Sequence, residues 1–294
     1  MLSSLNINTD LVRGLIADQF PQWSGLPVRE VVPNGWDNRT FRLGDDKSIR
    51  LPSAERYVAQ VEKEHRWLPI IAAGLRLPIP IPLAMGKPSD DYPWLWSVYG
   101  WIEGEVATSD RIGDMPLFAL SLGEFLRDLR GIGTSGAPIP GVGNFYRGGD
   151  LSVYDAETRE AIGMLDGKFD LDAAVLSRVW GTALASSWHE TGVWIHGDVS
   201  SGNLLVRDGE LAAVIDWGGM AVGDPACDLA IAWTMFDAGS RAVFRDTLDL
   251  DDATWERGRG WTLWKALIIL SGISETNAVE AERSLETARE ILAD

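Results

Sequence analysis

"WIHGDVSSGNLLV" (residues 194–206) and the "VIDWG" (214–218) that follows it are the stretches on which the reading of this fold turns. Val193, Trp194 and Ile195 run into the first loop, and Leu204, Leu205 and Val206 run out of it. Short apolar runs around a polar turn read as two strands joined by a tight loop. The loop carries His196, Asp198 and Asn203, and a further strand, "LAAVIDW" (211–217), ends at Asp216. Magnesium takes hard oxygen ligands and keeps several waters, so Asn203 and Asp216 suit one or two such ions. Asp198 is then left to accept a proton from a hydroxyl. That division of labour is the one phosphoryl transfer uses: metal neutralises phosphate oxygens while a carboxylate orients the nucleophile.

Composition sets the bounds. The 294 residues suffice for one large domain or two lobes with their own cores. With 46% hydrophobic and 23% charged residues, the chain reads as globular rather than disordered. A net charge of −17 without any basic run argues against a nucleic-acid partner; it can draw in a cationic small molecule, but reads first as a surface charge that keeps the protein in solution. One cysteine, Cys227, allows no disulfide within the chain and no cysteine zinc site. The three histidines, His65, His189 and His196, show no metal-ligand spacing. The longest apolar stretch, "WTLWKALIILSGI" (261–273), is interrupted by Lys265 and is too short to span a bilayer. The first twenty or so residues lack a basic segment followed by an apolar core, so no signal peptide, no membrane partner and a cytoplasmic location are expected.

Outward from the loop, the chain divides by character. Residues 9–20 read as a helix capped by Thr9 or Asp10. The stretches 27–32, 39–44 and 48–52 read as strands separated by "PNGWDN" and "GDDK", an antiparallel meander. A helix from Ser53 or Ala54 to about Ala73 puts Tyr57, Val61, Leu68 and Ile71 on one apolar stripe, with Glu64 among them. Pro78, Pro80, Pro82 and Pro88 hold 75–88 extended. The aromatic "YPWLWSVYGWIEGE" (92–105) is β-prone. Helices are then expected at 114–130, 151–164, 171–190, 226–238, 254–271 and 277–292, interrupted by strands at 193–195 and 204–206 and by 211–217. The fold class is therefore α+β: a small antiparallel sheet with one helix over residues 1–100, then a larger, mainly helical lobe over 101–294. "GIGTSG" (131–136) matches a dinucleotide fingerprint by letter, but it follows a helix instead of a strand and reads as a loop. No Walker-type phosphate loop occurs. Asp224 reads as a helix cap with Pro225 at the first helical position, and Cys227 as a buried helix residue. Trp255, Trp261 and Trp264 read as core, and Glu275, Glu280 and Glu282 as a solvated helix face.

"HGDVSSGNLLV", "AVIDWGGMAVGDPACDLAIAW" (213–233) and "GWDNRTFRLGDDKSIRLP" (35–52) together resemble the aminoglycoside phosphotransferase family, which shares the bilobal protein-kinase fold. The resemblance extends over nearly the whole chain. It implies a kinase that uses magnesium with ATP or GTP to phosphorylate a hydroxyl of a small molecule, such as an aminoglycoside or another antibiotic. Asp198 is then the catalytic base or hydroxyl-orienting group, Asn203 and Asp216 hold magnesium, His196 supports the loop, and Asp228 hydrogen-bonds the loop from the following helix. Gly35, Trp36, Asp37 and Asn38 cover the nucleotide phosphates. Backbone groups of residues 97–101 (Ser97, Val98, Tyr99 and Trp101 among them) meet the base. Arg50 stands where the kinase fold usually has lysine; it can contact phosphates bidentately. Its expected partner is Glu64, because a carboxylate on an apolar stripe is costly unless paired, and Lys47 falls too early, in the turn. The alternative is a catalytically weak, pseudokinase-like nucleotide-binding module, which Arg50 favours and the complete set of Asp198, Asn203 and Asp216 opposes. A serine hydrolase built on Ser200 or Ser201 with His196 lacks the strand-turn-helix elbow such enzymes need.

Overall fold

The computed structural model describes residues 6–32, 35 and 37–294. The chain forms two compact units: Met1–Gly104 with Ala213–Gly218, and Glu105–Ala212 with Gly219–Asp294. The short 213–218 segment, which carries Asp216, thus belongs with the first unit although it is distant in sequence.

In the first unit, α1 (Thr9–Gln19) buries Val12, Leu15 and Ile16, at helical spacing. Its cap is Asn8, one residue before the expected Thr9 or Asp10; its Oδ1 accepts from the amides of Asp10 and Leu11, each at 3.0 Å. The strands β1 (Val28–Glu30), β2 (Asn38–Leu43) and β3 (Lys47–Pro52) pair antiparallel as the turn signals require. Lys47 is the first residue of β3 and not a turn residue, since its pairing with Leu43 and Gly100 extends the ladder. Next come α2 (Val58–Ala72), β4 (Pro82–Gly86) and β5 (Trp96–Gly100), giving a five-stranded sheet in the order β1-β2-β3-β5-β4. Phe41, Leu43, Ile49, Leu51, Tyr92, Trp96 and Val98 join α1 in one apolar core. Gly86 is required there: a Cβ would come within 1.9 Å of the Trp96 ring.

The second unit opens with β6 (Glu105–Val106), then α3 (Met115–Arg130), α4 (Asp155–Leu165) and α5 (Ala173–Leu184). The strands β7 (Val193–Ile195), β8 (Leu204–Arg207), β9 (Glu210–Val214) and β10 (Ala221–Gly223) follow. They make two small sheets, β6-β8-β9 and the antiparallel pair β7-β10, so the 196–203 loop is held at both ends by paired strands. The remaining helices are α6 (Ile231–Thr234), α7 (Ala238–Leu248), α8 (Asp252–Leu270) and α9 (Ala278–Ala293). Four expectations change here. The strand expected over 211–217 ends at Val214, so Asp216 lies two residues beyond it. The helix expected to run to 190 stops at Leu184. The one expected over 226–238 is a 3-10 turn, Pro225–Ala230, running into α6. Helix α7 was not expected, because its buried face contains Ser240, Arg241 and Thr247 beside Phe244 and Leu248, which blurs the apolar period. Buried Arg241 is paired instead with Glu290 and Asp294. Among the described residues no helix is long and apolar enough to cross a membrane.

Candidate active site

The loop between β7 and β8 is fixed from behind. Asp228, fully buried in the 3-10 turn after Pro225, accepts from the amide of His196 at 2.8 Å and that of Gly197 at 2.7 Å. Burial pushes the Asp228 carboxyl above its usual range, partly countered by His196 and by these two amides. Gly197 has φ +84°, and a Cβ there would lie 2.4 Å from the carbonyl oxygen of Gly219, so two backbones pass with no room for a side chain. His196 is buried, and its Nδ1 accepts from the Asp198 amide at 3.2 Å. His196 therefore shapes the loop.

Asp198 meets three side chains. Arg147 donates to Oδ1 at 2.7 Å and also to the Gly197 carbonyl; the Lys265 ammonium lies 3.4 Å from the same Oδ1; the Asn203 amide donates to Oδ2 at 3.1 Å and to the Asp198 carbonyl at 2.9 Å. Burial pushes Asp198 up, but Lys265 and Arg147 together outweigh it and hold the carboxyl far below its usual range. The Asn203 nitrogen is thus committed twice to Asp198. Arg147 is itself aimed by a knotted segment. The Asn144 side chain accepts from the Gly141 amide at 2.9 Å and donates to the Arg147 carbonyl at 2.9 Å, and Phe145 and Tyr146 both take left-handed backbones, at φ 56° and 54°.

In the first unit, Arg50 donates to Asp216 Oδ1 at 2.6 Å and lies 3.6 Å from Glu64 Oε1. Burial opposes the charge on Arg50, but Glu64 and then Asp216 outweigh it and raise its pKa. Glu64 is buried on α2 as its stripe requires, and the Tyr99 hydroxyl donates to its other oxygen. Asp216 has φ 65°, a left-handed conformation uncommon outside glycine, which aspartate tolerates better than most side chains. Asp37 lies close enough to Asp216 and Arg50 to sense both; burial first, then Asp216, raises its pKa, and the Gln60 amide at 3.2 Å opposes this.

Asp216 in the first unit and Asn203 in the second each carry a hard oxygen of the kind magnesium takes, and one oxygen of Asp216 is bonded to Arg50. Among the described residues no group of three or more His, Cys, Asp or Glu side chains is arranged to hold a metal ion.

The family model of the phosphotransferase enzyme family matches residues 28–261. The chain belongs to that family. Solved structures share the fold. One is the GDP complex of the wild-type aminoglycoside 2'-phosphotransferase-IIIa, 21% identical, covering 98% of this chain and 99% of that one, with a TM-score of 0.73. Another is a macrolide 2'-phosphotransferase from Brachybacterium faecium, 21% identical over 95% of this chain and 98% of that one, with a TM-score of 0.64. A third is the streptomycin–ATP complex of APH(2")-IIa, 16% identical over 98% and 97%, with a TM-score of 0.60. Among curated proteins no sequence matches. A member of the phosphotransferase family is an enzyme, and the α+β architecture is that of the kinase-like phosphotransferases.

Within this phosphotransferase, the expected nucleotide contacts need one correction. Strand β5 is interior: Ser97, Val98 and Tyr99 pair with Arg50, Ile49 and Ser48 on one side and with Met85, Ala84 and Pro82 on the other. Their backbone groups belong to the sheet, and the Trp101 amide goes to the Asp46 carbonyl at 2.8 Å. The first backbone beyond the ladder is Ile102–Gly104. Of the loop expected over the phosphates, Gly35 is exposed and its carbonyl accepts from Arg39 at 3.0 Å, Asn38 is buried at the start of β2, and Trp36 lies outside the described residues. Asp224 caps its turn as expected, accepting from Ala226 at 3.0 Å, and also pairs with buried Arg257 at 2.7 Å. Sequence reasoning missed Arg147 and Lys265. Their signals were an arginine before the paired glycines of "YRGGD" and the one charged residue inside an apolar run.

Proposed function

We propose that the protein is a small-molecule kinase that moves the γ-phosphoryl group of ATP or GTP to a hydroxyl, with Asp198 orienting that hydroxyl and magnesium held by Asn203 and Asp216. The observation that carries this reading is the state of Asp198: a carboxylate kept ionised by two cations, with its loop anchored by Asp228, His196 and Asn203. Such a carboxylate is a weak base, so it aligns the hydroxyl and takes the proton only as the new O–P bond forms. Magnesium, when bound, neutralises phosphate oxygens. Arg50, set by Glu64 and Asp216, offers a fixed positive charge to the nucleotide phosphates, which supports an active kinase over a weak, pseudokinase-like module.

The acceptor reading rests on the surface beside Arg147. Phe145 and Tyr146 are exposed, and Tyr154 stacks on Trp264 with ring centroids 3.8 Å apart. The exposed rings of Phe145 and Tyr146 suit a hydroxylated ring compound, whereas Trp264 is buried as the sequence reading expects and its stack on Tyr154 is core packing. Both charged groups on Asp198 are cations, so that pair offers no anionic lining to an aminated acceptor. The test is magnesium-dependent release of ADP or GDP against pooled aminoglycosides, macrolides, sugars and amino alcohols, with Asp198→Asn as control. Release stimulated by one pool and lost in the variant is expected. Stimulation that survives in Asp198→Asn refutes the role given to Asp198.

A further inference from the structure

Lys265 breaks an apolar run, and the structure shows where it goes. On α8, residues 261–264, 266 and 267 are all buried, whereas Lys265 is exposed and directs its ammonium to within 3.4 Å of Asp198 Oδ1. Lys265 is not the only cation on Asp198. Arg147 is already bonded to that same oxygen at 2.7 Å, and a guanidinium never loses its charge near neutral pH. With Lys265 added, two cations face one carboxylate, leaving an excess positive charge beside the base. At 3.4 Å, and with a half-exposed side chain, the ammonium keeps donors for a further anion.

We propose, resting on the kinase reading above, that Lys265 is a catalytic residue that donates to an oxygen of the phosphoryl group in flight. A hydroxyl aligned on Asp198 attacks phosphorus at hydrogen-bond range from that carboxylate, so the transferring group passes within reach of the ammonium. The acceptor O–P bond forms, the bond from the γ-phosphorus to the bridging oxygen breaks, and its electron pair leaves with the nucleoside diphosphate. The hydroxyl proton passes to Asp198. Lys265 remains an ammonium throughout and balances charge spread over the equatorial oxygens, the kind of preorganised stabilisation that counts most in such transfers.

The test needs no acceptor. Nitrate is a planar anion shaped like the transferring PO3 group. Magnesium–ADP and magnesium–GDP are titrated by calorimetry into the full chain, with nitrate or with equal chloride. The wild type is expected to bind its diphosphate about tenfold tighter in nitrate, the scale of one hydrogen bond between charged groups. Lys265→Met should lose that gain while binding the diphosphate alone as the wild type does, and Lys265→Arg should keep most of it. In Asp198→Asn the gain should persist, because a residue acting only through Asp198 would lose it. An equal gain in wild type and Lys265→Met, or none in the wild type, overturns the assignment. A wild type that binds no magnesium–diphosphate sinks the kinase reading itself.

Discussion

Replacing Asp228 by asparagine changes one atom and isolates what anchors the catalytic loop. Both carboxylate oxygens accept backbone amides, from His196 at 2.8 Å and Gly197 at 2.7 Å, in a site 4% exposed. Asparagine keeps one acceptor and turns an NH2 group toward the other amide. Losing a hydrogen bond to a charged group costs roughly 1.5–3 kcal/mol, and the stranded buried amide about 1–3 kcal/mol more. Relief of burying the charge, which pushes the Asp228 pKa up, offsets part of this, so a net loss of about 2–4 kcal/mol is expected. At the usual entropy per residue, that lowers Tm by roughly 3–6 °C for a chain this long. The loop shift matters more for rate: displacing Asp198 by about 1 Å costs on the order of a hundredfold. The assays are thermal unfolding and nucleoside diphosphate release with a saturating acceptor, alongside magnesium–nucleotide affinity. That affinity should fall less than kcat, since Arg50 and Asp216 belong to the other unit and only Asn203 moves with the loop. Wild-type Tm and kcat in Asp228→Asn would refute the anchoring argument. The sign with pH follows from the raised pKa: ionising Asp228 costs the folded state, so its contribution weakens stability as pH rises from the ordinary aspartate range through the higher folded value, and the variant lacks that slope.

Gly197→Ala must fit a Cβ at 2.4 Å from the Gly219 oxygen at φ +84°; about 1–2 kcal/mol of backbone cost plus the clash should lower Tm and cut kcat, and a wild-type kcat would contradict the close approach. Arg147→Gln removes a cation that depresses the Asp198 pKa, so burial carries it upward. The acid limb of its activity should lie at higher pH than the wild type's, although Lys265 still holds the carboxyl down, and superimposable profiles would remove Arg147 from that role. Asp216→Ala should weaken magnesium-dependent nucleotide binding and leave metal-free binding less affected; an unchanged magnesium titration takes Asp216 out of the metal site.

Much of this protein is legible from its residues. The turn signals around β2 and β3, the buried stripe of α2 with Glu64 on it, and the polar loop between apolar runs are all local patterns, and the resemblance to the phosphotransferases rests on them. Patterns fail where the burying face is not apolar, as in α7 with its ion-paired Arg241, and where a strand's neighbours decide what its backbone can do, as in β5. Sequence alone determined which chemistry is present: an aspartate and an asparagine on one tight loop, a second aspartate at a strand end, and an arginine with a buried glutamate. Only the tertiary structure decided who faces whom. It set Arg147 and Lys265, 51 and 67 residues from Asp198, on the same carboxylate, and gave Arg50 its closest bond to Asp216 rather than Glu64. Periodicity reports which face of an element is buried, because that is set within a few residues. The charge that meets another charge across a fold is set by the packing of elements far apart in the chain, and no spacing records it.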